Sequence, residues 1–198
     1  TWTLVTGGTS STLTVASTKT TFNGRLYRAA YKNVAGRATS EAATLTVRKA
    51  PAVTKQPVAV TVEEGHQASF EATGSGFPAP SVQWQLSTDG VTWTPIEGAN
   101  ANQFVVASPT TAESGYRYRA VFANAAGEAT SAAATLTVQK LPVLTLQPAS
   151  VAVEEGQSAE FEATASGFPT PSAQWEVSSN GGATWTAVTG ATSTHFTI

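Results

Sequence analysis

A segment of about ninety residues recurs along this sequence, and no other feature restricts the fold as strongly. Val-Glu-Glu-Gly at Val62 to Gly65 returns at Val153 to Gly156, and Ser-Gly-Phe-Pro-x-Pro-Ser at Ser75 to Ser81 returns at Ser166 to Ser172. Trp84 returns as Trp175, 91 positions on. The same offset runs back towards the start: Trp93 matches Trp2, Tyr118 matches Tyr27, Asn124 matches Asn33, and Ala134 to Val138 matches Ala43 to Val47. A period of this length exceeds the roughly 20 to 50 residues of a solenoid repeat and suits a domain with its own core. The phase divides the chain into residues 1–48, the C-terminal part of one repeat, 49–140, a complete repeat, and 141–198, the N-terminal part of another.

The junctions are short. The run ending at Val47 is followed by Arg48-Lys49-Ala50-Pro51, and the run ending at Val138 by Gln139-Lys140-Leu141-Pro142. Neither is the Gly/Ser tract of a flexible tether, so neighbouring domains are expected to form a semi-rigid rod. Residues 184–198 and 1–15 correspond to the same segment. Head-to-tail complementation between copies would not duplicate it, so we expect a window on a longer array, as the missing methionine also suggests.

Inside the complete repeat the polarity alternates with the two-residue period of strands. Ala68, Phe70 and Ala72 alternate with Ser69 and Glu71, and Val82, Trp84 and Leu86 with Gln83 and Gln85. Thr88-Asp89-Gly90 is a hairpin signal, with Ser179-Asn180-Gly181-Gly182 at the matching site. Phe104 with Val106, Tyr118 with Ala120, and Ala134 with Leu136 and Val138 supply further half-buried strands. Roughly seven or eight strands in about 90 residues, with no segment of helical period, predict an all-β fold of two packed sheets.

Phe70, Ala72, Gly74, Gly76, Pro78, Pro80, Val82 and Trp84, at alternate positions, resemble the strand B to strand C segment of intermediate-set immunoglobulin domains. Tyr118, Ala120, Asn124 and Gly127 resemble the strand F segment and the turn after it. The resemblance implies tandem Greek-key sandwiches, with Ala72 and Ala120 at the two positions usually held by cysteine. Ala163 and Ala29 stand at matching sites in the flanking repeats, and the whole chain lacks cysteine. Such cysteine-free units resemble the tandem immunoglobulin-like modules of bacterial surface proteins. The expected core is Phe70, Ala72, Trp84, Leu86, Phe104, Tyr118, Ala120, Leu136 and Val138, with the Tyr118 hydroxyl bonded to backbone upstream of its strand.

Composition offers little chemistry. Only 12% of residues are charged and the net charge is −2, with Lys and Arg scattered singly, which leaves no footprint for nucleic acid. No apolar run approaches the roughly 18 residues of a membrane span. The two histidines do not repeat: His66 corresponds to Gln157, and His195 to Gln103. Both read as surface strand-end residues. Glu63-Glu64 and Glu154-Glu155 read as solvated charges at a turn, and one aspartate, Asp89, cannot make a calcium cluster. No catalytic set, metal ligand group or cofactor motif is expected. A Lys55–Asn124 isopeptide is the sharpest covalent candidate, although Leu146 replaces that lysine in the third repeat. Trp2, Trp93 and Trp185 are candidate binding or interface residues, with a sheet-covering role as the alternative.

The expected function is therefore a non-catalytic structural repeat of a long extracellular bacterial surface protein: a stalk, adhesin shaft or filament subunit. Its partners would be neighbouring repeats and other copies in a filament. The alternatives are a carbohydrate- or protein-binding accessory module of a larger surface hydrolase, taking a surface glycan or protein ligand, and a phage or virion decoration domain.

Overall fold

The computed structural model describes residues 1–198. Numbered within the complete repeat, its strands are β1 (Lys49–Lys55), β2 (Val60–Glu63), β3 (Ala68–Glu71), β4 (Thr73–Phe77), β5 (Ser81–Ser87), β6 (Thr94–Pro95), β7 (Gln103–Val106), β8 (Arg117–Asn124), β9 (Gly127–Thr130) and β10 (Ala134–Leu146). Antiparallel pairs β1–β4 and β3–β7 form one layer, continuous through Ala72, whose N–H donates to the Asn102 carbonyl at 2.9 Å. The second layer runs β6-β5-β8-β10, with β9 on β8 and β2 parallel to β10. Two layers with strands crossing between them form the immunoglobulin-like sandwich implied by the sequence.

The core lies where the alternation points inward from both layers. Phe70, Ala72, Trp84, Tyr118, Ala120, Leu136 and Val138 are buried, while Leu86 and Phe104 are only partly covered and pack against that cluster. Phe122 joins it because it continues the β8 alternation one step beyond Ala120. Ala72 and Ala120 are completely buried. The layers are tied instead by aromatic rings: Phe70 lies 4.8 Å from Tyr118, Tyr118 5.3 Å from Phe104, and Phe104 5.8 Å from Trp84, between centroids. Such pairs contribute about 0.5 to 1.5 kcal/mol each. Together the three match the roughly 2 to 5 kcal/mol that a missing disulfide forfeits. The Trp84 indole N–H donates to the Ala101 carbonyl at 2.8 Å, so its one polar atom is paired.

The structure corrects the role expected for the Tyr118 hydroxyl. It makes no side-chain hydrogen bond within the protein, and no buried polar side-chain atom is left without a partner, so the hydroxyl meets solvent at the rim of the core. Tyr118 acts through its ring. Burial holds its ionisation up at about 12, with the charge of Glu113 adding to the effect.

The flanking parts reproduce fragments of this plan. In the third repeat Trp175 lies 6.3 Å from Phe161 and 5.7 Å from Phe196, and its indole donates to the Ser193 carbonyl at 2.8 Å. Near the start, Ala30–Asn33 pairs with Gly36–Thr39, and Leu26–Tyr27 with Ala43–Thr44.

No turn separates the complete repeat from the third. Strand β10 leaves the sandwich after Gln139, which still pairs with Glu63, and pairs Lys140, Val143, Leu144 and Leu146 with Phe168, Ser166, Ala165 and Thr164 of the next repeat. Its register shifts between Lys140 and Val143, at Pro142, which has no N–H for the ladder.

Candidate functional site

Three features of the chain bear on what it can do: the tryptophan face, the junction, and a groove in the third repeat.

Trp93 precedes β6, and its ring is covered by Arg119, whose guanidinium carbon sits 4.1 Å from the ring centroid. Arg119 lies between the buried Tyr118 and Ala120, so it points out of the sandwich. Its Nε donates to Gln85 Oε1 at 2.8 Å from the neighbouring strand β5. Trp2 and Arg28 make the same contact at 4.0 Å. Trp93 is partly buried, while Trp2 is 47% exposed and Trp185, whose repeat here does not include the strand matching β8, is 61% exposed. Arg28 and Arg119 share the 91-residue offset of Trp2 and Trp93, and that shared spacing was the sequence signal for the pair. A cation–π contact of this kind contributes about 0.5 to 1 kcal/mol at an exposed site.

Glu64 is engaged rather than simply solvated. Its Oε2 meets Lys140 Nζ at 2.8 Å, and its Oε1 accepts from the N–H and hydroxyl of Thr111 at 3.2 and 3.3 Å. The lysine first, then the Thr111 N–H, holds the Glu64 carboxyl below its ordinary range. Its neighbour Glu63 makes no ion pair and is exposed. His195 faces Glu162 across a strand pair at 3.3 Å, and both are exposed.

The isopeptide candidate is overturned. Lys55 Nζ pairs with Glu71 at 2.6 Å, whereas the Asn124 amide donates to the carbonyls of Lys49 at 2.9 Å and Pro78 at 2.8 Å. Lys49 and Lys55 stand at opposite ends of β1, roughly 20 Å apart at about 3.3 Å per residue. That span exceeds a lysine side chain.

A groove of about 360 Å³ in the third repeat is lined by Phe161, Trp175, Trp185, Phe196 and Ile198 among others. In the complete repeat the equivalents of Phe161 and Trp175, namely Phe70 and Trp84, are covered by Tyr118 and Ala120 of β8. The groove is thus the uncovered interior of a sandwich, with the shape of a core rather than of a ligand site.

A family described as "Domain of unknown function (DUF8696)" matches residues 53–140. Over 153 residues the chain is 44% identical to Endoglucanase C of Cellulomonas fimi, covering 77% of this chain and 14% of that protein. It is 32% identical over 145 residues to Roundabout homolog 1 of Mus musculus, covering 72% of this chain and 9% of that one. The chain therefore spans a small fraction of the length of both. Among solved structures, an I-band fragment of titin matches with a TM-score of 0.61 at 24% identity, over 78% of this chain and 55% of that one. That likeness shows the immunoglobulin-like fold.

Proposed function

We propose that these repeats are a non-catalytic spacer within a longer extracellular bacterial protein, holding the segments on either side apart at a set distance. The observation that carries this reading is the uninterrupted strand Ala134–Leu146, which belongs to two repeats at once and leaves no flexible residue between them. The close similarity of successive repeats and the low charge fit a part that is used by adding copies. Small-angle scattering tests it. A compact chain of this length has a radius of gyration on the order of 16 Å. A spacer gives a clearly larger value and the scattering profile of a rod, and a compact profile would sink the reading.

A second reading is favoured by the 44% identity to Endoglucanase C. Here the repeats are accessory modules beside a hydrolase and take a glycan or protein ligand through the tryptophan face. Trp93 stacks under Arg119 and Trp2 under Arg28, so a ligand would meet a ring already lined by a guanidinium. Glycan binding lost in Trp93→Ala would support this reading, and the absence of binding to any glycan would favour the spacer alone.

A further inference from the structure

The start of the strand that enters a repeat is held by side chains at both junctions, and we propose that the junction lysine, Lys49 or Lys140, is the node of a polar clasp fixing the angle between successive repeats. This rests on the spacer reading and names the residues that would make the spacer stiff. At the second junction the grip comes from behind: Lys140 Nζ reaches back to Glu64 Oε2 at 2.8 Å, and the Glu64 N–H donates to the Gln139 carbonyl at 2.7 Å. Glu64 is itself fixed, because Thr111 donates twice to its other oxygen. At the first junction the grip comes from ahead. The Asn124 amide donates to the Lys49 carbonyl at 2.9 Å and to the Pro78 carbonyl at 2.8 Å, while its Oδ1 accepts from the Ala126 N–H at 2.8 Å. Arg48 Nη1, from the end of the preceding repeat, donates to the Ala125 carbonyl of the same turn at 3.2 Å.

Each half of the clasp is seen once, yet its residues recur. Lys49 matches Lys140, Glu64 matches Glu155, Thr111 matches Thr20 and Asn124 matches Asn33. A junction between two whole repeats therefore carries both halves, the ammonium held by the glutamate behind and the carbonyl by the asparagine ahead. Lys55–Glu71, the other Lys–Glu ion pair, lies within the complete repeat, between β1 and β3, and cannot act on the hinge. An exposed ion pair adds little to folding stability. Across a hinge it acts differently, because pinning a side chain of one body to the other removes bending freedom that folding leaves intact.

The chain has no cysteine, so spin labels can be placed on Thr88→Cys and Ser179→Cys, two exposed and equivalent turn positions in the second and third repeats. Electron–electron resonance on the full chain should give a narrow distance distribution. Glu64→Gln and Lys140→Gln should each broaden it about twofold, towards the spread of a flexible linker. Glu63→Gln should leave it unchanged, and circular dichroism should show all variants folded. A distribution equally narrow in all of them overturns the clasp and leaves the spacer reading standing. A broad distribution in the unsubstituted chain overturns both.

Discussion

The Phe70 and Tyr118 rings meet at 4.8 Å across the two layers of the sandwich, tilted at 32°, each two residues before one of the buried alanines Ala72 and Ala120. The contact runs parallel to the link that a disulfide would make between those alanines. Cross-layer attachment is thus supplied by ring surface, which needs no oxidising compartment to form.

The alanine pair should accept the missing cross-link. In Ala72→Cys/Ala120→Cys the loop closed would be about 49 residues, and a disulfide of that reach stabilises by roughly 2 to 4 kcal/mol. The oxidised variant is expected to unfold at higher denaturant concentration than the same variant reduced. Identical midpoints with and without reductant would show that the layers hold these positions in the wrong geometry.

Tyr118→Phe separates the ring from the hydroxyl. Since the hydroxyl makes no bond within the protein, its removal should cost less than about 0.5 kcal/mol, below the roughly 1 kcal/mol of a typical hydrogen bond. A loss above that size in urea unfolding would restore the corner hydrogen bond. The variant has a second signature. The folded ionisation is raised from 10.0 to about 12, so the contribution is complete below pH 10 and is lost as the pH rises from 10 towards 12. Stability should fall less steeply over that window in Tyr118→Phe.

Gly76 is required by close approach. A Cβ there would sit 2.8 Å from the Asn124 amide nitrogen and 3.3 Å from Pro51 Cα. Gly76→Ala should cost about 1 to 3 kcal/mol as overpacking against backbone. It should also displace the Asn124 amide from the Lys49 carbonyl, visible as a shift of that side-chain NMR signal. An unshifted signal at unchanged stability would refute the contact.

Asp89 organises the β5–β6 hairpin. Its Oδ1 accepts from the N–H groups of Val91 and Thr92 at 2.8 and 2.7 Å and from the Ser87 hydroxyl at 3.0 Å. The Val91 N–H first, then Thr92, holds its carboxyl far below the usual range. With a depressed folded value the contribution is complete above the ordinary carboxylate range, near 3.9, and disappears as the pH falls below it. Asn180 occupies the matching turn and accepts from the Thr184 N–H at 3.0 Å. Asp89→Asn should therefore keep the neutral-pH midpoint and lose part of the acid sensitivity, whereas Asp89→Ala should lower the midpoint at neutral pH. Equal acid sensitivity in Asp89→Asn and the unsubstituted chain would remove the turn from the acid response.

Local order was legible in the sequence because strand alternation and turn chemistry act over a few residues. The inward set around Trp84 and Tyr118, the hairpin at Asp89 and the register of the repeat all follow from spacing. That Ala72 and Ala120 hold the usual cysteine positions is what the resemblance to intermediate-set immunoglobulin domains implies. Tertiary structure decided whatever depends on contacts between residues far apart in the chain. Spacing alone could not say that the Tyr118 hydroxyl reaches solvent, because that depends on where the core ends. It could not say that Asn124 turns its amide to Lys49, 75 positions away, rather than to Lys55. Nor could it show that Glu64, one of two adjacent glutamates, is the one that meets Lys140 while Glu63 faces water. A two-residue period assigns a side chain to a face; its partner is fixed only when the layers pack and bring distant strands together.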